Sequence, residues 1–144
     1  MSTVKSMLIE VEKEFKAIFP QSSSMVSMGC LGDGTDNAGH SLIVCLSTKA
    51  EWGCTRHNDI VNATFWVHNP ADADGKYIIE SDSKSFTVHD ATDRFNCRRV
   101  KTGFRKKNNT AEKNVIAMKK YFVKLHELLN SEKENIDSKY HKFM

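Results

Sequence analysis

A chain of 144 residues, 40% hydrophobic and 27% charged, with only two prolines and seven glycines, suits one globular domain and excludes a low-complexity chain. No stretch is apolar for long enough to cross a bilayer, and the first residues mix Glu10, Glu12 and Glu14 into their apolar pattern, unlike a secretory leader. The four cysteines, Cys30, Cys45, Cys54 and Cys97, contain no CxxC pair and predict reduced thiols in a cytoplasmic protein with no membrane partner.

In chain order, Val4, Met7, Leu8, Val11, Phe15, Ile18 and Phe19 recur at three- and four-residue steps and predict an amphipathic helix. Pro20 ends it, because its ring clashes with the preceding turn and its nitrogen carries no proton. Met25 to Leu31 is a first candidate strand, residues 32–39 are a loop by their Gly and Asp content, and Ser41 to Leu46 is a buried strand. Residues 62–68 alternate, placing Ala63, Phe65 and Val67 on one side and Thr64, Trp66 and His68 on the other. Further strands are predicted at 76–80, 84–89 and 94–100, in an antiparallel meander.

A second helix is predicted from Asn109, which with Glu112 makes a capping-box pattern. Val115, Met118, Phe122, Leu125 and Leu129 give it a narrow apolar seam. Residues 131–144 are mixed and polar, and are expected to fray. The expected fold is therefore a single α+β domain over 1–144, with an antiparallel β-meander sheet of four to six strands, an N-terminal helix and a longer C-terminal helix.

The net charge of +3 hides a strong asymmetry. Residues 1–93 hold seven Lys/Arg against thirteen Asp/Glu, whereas residues 94–124 hold eleven Lys/Arg against the single acid Glu112. Arg94, Arg98, Arg99, Lys101, Arg105, Lys106 and Lys107 follow one another without an intervening acid, with Phe95 and Phe104 among them. On the helix, at about 100° per residue, Lys113, Lys120 and Lys124 share one narrow sector opposite the seam. A polyphosphate backbone favours such a surface through counterion release, and arginine grips phosphate with paired hydrogen bonds. Phe104 beside the basic run is a candidate for stacking unpaired bases, and Trp66 is a candidate partner anchor if its sheet face is open.

Other constellations are weaker. Asp33, Asp36 and His40 sit on a glycine-rich loop but lack the ligand spacing of an EF-hand. Cys54 and His57 form one loose pair, where zinc needs four converging ligands. Arg56-His57-Asn58-Asp59 has the residue types of acid–base chemistry without a second histidine-bearing element nearby, and no P-loop, GxSxG or HExxH motif occurs. No catalytic residue, metal or cofactor is therefore expected. The sequence predicts a non-enzymatic nucleic-acid-binding accessory protein acting through residues 94–124. The alternative is a protein-binding module or inhibitor that docks the same basic surface on an acidic partner protein.

Overall fold

A computed structural model describes residues 4–28, 40–47, 59–68, 75–81, 85–89, 97–101, 104–136 and 138–144. The first helix, α1, spans Val4–Ile18 and buries Val4, Met7, Leu8, Val11 and Phe15, the stripe its spacing predicts. Beyond Ile18 the chain turns tightly at Pro20. Phe19 N–H still donates to the Phe15 carbonyl (2.9 Å), Ser22 N–H to the Phe19 carbonyl (3.1 Å), and Lys16 Nζ reaches back to the Ser22 carbonyl. Phe19 thus stays fully buried although it lies past the helix end.

Seven strands follow among the described residues: β1 (Ser23–Met28), β2 (His40–Ser47), β3 (Asp59–His68), β4 (Lys76–Ser81), β5 (Ser85–His89), β6 (Cys97–Lys101) and β7 (Lys107–Thr110). Five of them form one sheet in the order β1-β2-β3-β4-β7, and every neighbouring pair is antiparallel. The meander therefore runs through β4 and resumes with β7, while β5 and β6 pair with each other as a separate antiparallel hairpin that lies alongside β3. Sequence pattern anticipates β5 and β6 as members of one continuous meander; β7 takes the place beside β4 instead. Polar Lys107-Asn108-Asn109-Thr110 gives no strand signal of its own, and its extended form follows from pairing with Lys76–Ile79.

The sheet has a helix-covered face. Leu42 stands opposite Phe65, Val44 opposite Ala63, and Val67 opposite Ile79, so alternate residues of three strands point the same way. Against them pack α1 and the second helix, α2 (Ala111–Ser131), α1 over β1 and β2 and α2 over β4 and β7. The seam of α2 comprises Met118, Phe122, Leu125 and Leu129, extended toward its start by Ala111 and Asn114; Val115 is only half-buried. Edge-on aromatic contacts knit the layers together. Phe15 meets Phe122 at 5.0 Å between ring centroids, Phe122 meets Phe65 at 6.0 Å, and Phe65 meets Phe104 at 5.3 Å.

Two local details differ from expectation. The N-cap of α2 is Thr110 rather than Asn109: Thr110 Oγ1 accepts from Lys113 N–H (3.3 Å), while Asn109, on β7, accepts from Thr110 N–H through its own Oδ1 (2.9 Å). Among the described residues of 131–144, the chain folds back on the core. Short 3-10 turns at Lys133–Asn135 and Ser138–Phe143 bring Ile136 and Phe143 into the core. His141 Nε2 lies 2.9 Å from the Ile136 carbonyl and 3.0 Å from that of Lys133. Since both partners only accept, that nitrogen must carry the proton.

Candidate nucleic-acid interface

The basic run divides where the chain enters β7. Phe104 is not a stacking platform but part of the core, 4% exposed. Its ring lies edge-on to Tyr121 (5.0 Å) and to Phe65 (5.3 Å), and burying so large a ring outweighs the pull of its charged neighbours toward water. With Phe104 anchored, the residues after it go different ways. Lys107 lies on the helix side of the sheet, with its Nζ 5.8 Å from the centre of the Phe104 ring. Lys106 instead approaches Glu80 of β4 (Nζ–Oε2 3.9 Å), the residue paired with Trp66 in the β3–β4 register.

A shallow groove of about 270 Å³ opens between the 104–107 segment and the outer face of α2. Arg105 and Lys107 stand on one side, Lys120 and Lys124 on the other, with Phe104 and Tyr121 beneath. Among the described residues, no acidic side chain lines it. Arg105, Lys120 and Lys124 are exposed and make no ion pair among the described residues, whereas Lys119, one position off the row, pairs with Glu14 of α1 (3.6 Å). Lys113, in the first turn of α2, continues the exposed row of Lys120 and Lys124 toward the helix start. Four cations around one groove raise each other's energy, so the arrangement attracts an anion from any direction of approach.

The remaining predicted positions are distributed as follows. Arg98, Arg99 and Lys101 lie on β6, in register with Val88, Thr87 and Ser85 of β5. Arg94 lies outside the described residues, as do Asp33, Asp36, Cys54 and His57. His40 does not belong to a loop: it opens β2 opposite Val67 and is buried. Trp66 is 36% exposed and sits on the sheet face away from the helices, so it does not share the α2 groove. Sequence reasoning missed Tyr121 and Ala117 as lining residues. The signal was present, since Ala117 falls between Lys124 and Tyr121 on the helical wheel and Tyr121 borders the seam.

A second depression, of about 470 Å³, lies further round α2, where Ile116 and Val123 are exposed beside Lys119, Lys120, Lys124 and Glu127. Among the described residues, no helix is long and apolar enough to cross a membrane. Comparison with known protein families, with curated proteins and with solved structures gives no match.

Proposed function

We propose that this chain is a non-enzymatic nucleic-acid-binding accessory protein, and that it engages its ligand through the basic surface formed by the 104–107 segment and the outer face of α2. One observation carries the reading: Arg105, Lys107, Lys120 and Lys124 converge on a single groove with no acid among its described lining residues. Like charges gathered on a fold oppose its stability, whereas a bound polyphosphate relieves the repulsion and releases its condensed counterions. The arginines and lysine of β6 extend the positive charge of this part of the chain. The test is a titration of single- and double-stranded DNA and RNA at two salt concentrations. The reading expects binding that weakens steeply with salt; absence of binding to all four at low salt overturns it.

A second reading, docking on an acidic partner protein, draws support from Ile116 and Val123, which are 55% and 42% exposed beside the lysine row. Apolar side chains rimmed by cations suit an amphipathic acidic surface better than a phosphate backbone. Ile116→Ser with Val123→Ser separates the two. Nucleic-acid affinity is unchanged by this pair if the groove is the site, and protein docking is lost if the apolar row is.

A further inference from the structure

We infer that the α2 groove receives the phosphodiester backbone and leaves the bases outside it, so that binding is indifferent to base identity. This rests on the nucleic-acid reading above and specifies what part of the ligand the site recognises.

Base recognition in an unpaired strand needs an open aromatic face on which a base can lie. Among its described lining residues the groove offers none. Phe104 is 4% exposed, its ring held edge-on between Phe65 and Tyr121 at interplanar angles of 64° and 76°, with the Lys107 ammonium over the ring. Tyr121 is half-buried and packs edgewise on both Phe65 (76°) and Phe104 (76°). Displacing either ring to make room for a base would break the contacts that close the core beneath β3. Trp66, the aromatic with substantial exposure among the described residues, faces away from α2.

Reading base edges by hydrogen bonds calls for side chains of fixed geometry, typically amides and carboxylates as well as arginine. Among the described residues, no Asn, Gln, Asp or Glu lines the groove. Three of its four cations are lysines, whose ammonium groups act as point charges without directional preference. Their spacing suits a strand. Lys120 and Lys124 are one helical turn apart, about 6 Å along the axis. Arg105 and Lys107 are two residues apart on extended chain, about 6–7 Å. A strand of duplex presents a phosphate about every 3.4 Å of axis, so each wall spans roughly two successive phosphates. The floor is apolar, so a phosphate above it finds its compensating charge only in the walls.

The experiment compares, with the full chain at low salt, an oligothymidylate and an abasic strand carrying the same number of phosphates. The expected affinities agree within about threefold, and oligoadenylate and oligocytidylate match them, since no stacked base contributes its usual five- to hundred-fold. Lys120→Gln with Lys124→Gln is expected to weaken the normal and abasic strands equally. A tenfold or greater loss on removing the bases overturns the inference while leaving nucleic-acid binding intact. Binding of both strands that is unaffected by the Lys120 and Lys124 changes overturns the location. If neither strand binds, the functional reading itself fails, and this inference with it.

Discussion

Neutralising the groove gives a quantitative test of whether the charge is a site or merely a property of the chain. Consider Arg105→Gln, Lys120→Gln and Lys124→Gln made together. None of the three side chains is ion-paired among the described residues and all are exposed, so the melting temperature should stay close to that of the parent. Lys107 is left in place because its ammonium lies over the Phe104 ring, and its removal would disturb packing together with charge. If each altered residue contacts one phosphate, the slope of log affinity against log salt should fall by about 0.7–0.9 per residue, or about two to three for the set. Across a fourfold rise in salt that shrinks the loss of affinity by about 20- to 40-fold, easily resolved by fluorescence anisotropy. The control is Lys5→Gln, Lys13→Gln and Lys16→Gln, which removes the same formal charge. All three lie on α1, outside the basic surface, and Lys13 is already paired with Glu10 (3.0 Å), so the slope should change by less than about one. Equal slopes for the two triple variants would refute a localised site and reduce the argument to net charge.

Stability measurements probe the scaffold that holds the groove. Ending the chain after Ser131 removes Ile136 and Phe143 from the core and should lower unfolding free energy by about 3–6 kcal/mol in a denaturant titration; a fraying tail would cost nothing. Thr110→Ala, which deletes the cap of α2, should cost about 0.5–2 kcal/mol by the same assay. Buried Asn114 donates from Nδ2 to the Tyr77 carbonyl (3.0 Å) and the Asn109 carbonyl (3.3 Å), while its Oδ1 has no partner among the described residues. Asn114→Ala should therefore cost about 1–3 kcal/mol, and Asn114→Asp more, because a carboxylate there would face two carbonyls with no donor. Equal melting temperatures for those two variants would contradict the assigned amide orientation.

What the sequence made legible follows from how local each signal is. Both helices were readable because their stripes are complete within one element: Val4 to Phe15 for α1, Met118 to Leu129 for α2. Strict alternation over 62–68 correctly separated Phe65 from Trp66, because side-chain direction in a strand depends only on parity. Strand β7 was not readable, since Lys-Asn-Asn-Thr becomes extended only through its partner β4. Ile136 and Phe143 are isolated apolar residues in polar surroundings, without periodicity to show that they reach the core. The basic block was visible as composition, but contiguity in sequence misled. Arg105 and Lys107 border the groove while Lys106 turns to Glu80, and Phe104, flanked by charge, anchors the segment from inside.

The insertion of β7 beside β4 also separates two sources of positive charge. The β5–β6 hairpin, with Arg98, Arg99 and Lys101, stands outside the main sheet, and the chain rejoins that sheet at a register set by Lys76–Ile79 against Lys107–Thr110. Lengthening the hairpin is thermodynamically inexpensive, about 0.6 kcal/mol for each doubling, so its length and charge can drift while the β4–β7 register that seats the 104–107 segment stays fixed. Charge on the hairpin and charge around the groove thus sit on separate parts of the framework, and the groove keeps its geometry when the hairpin varies.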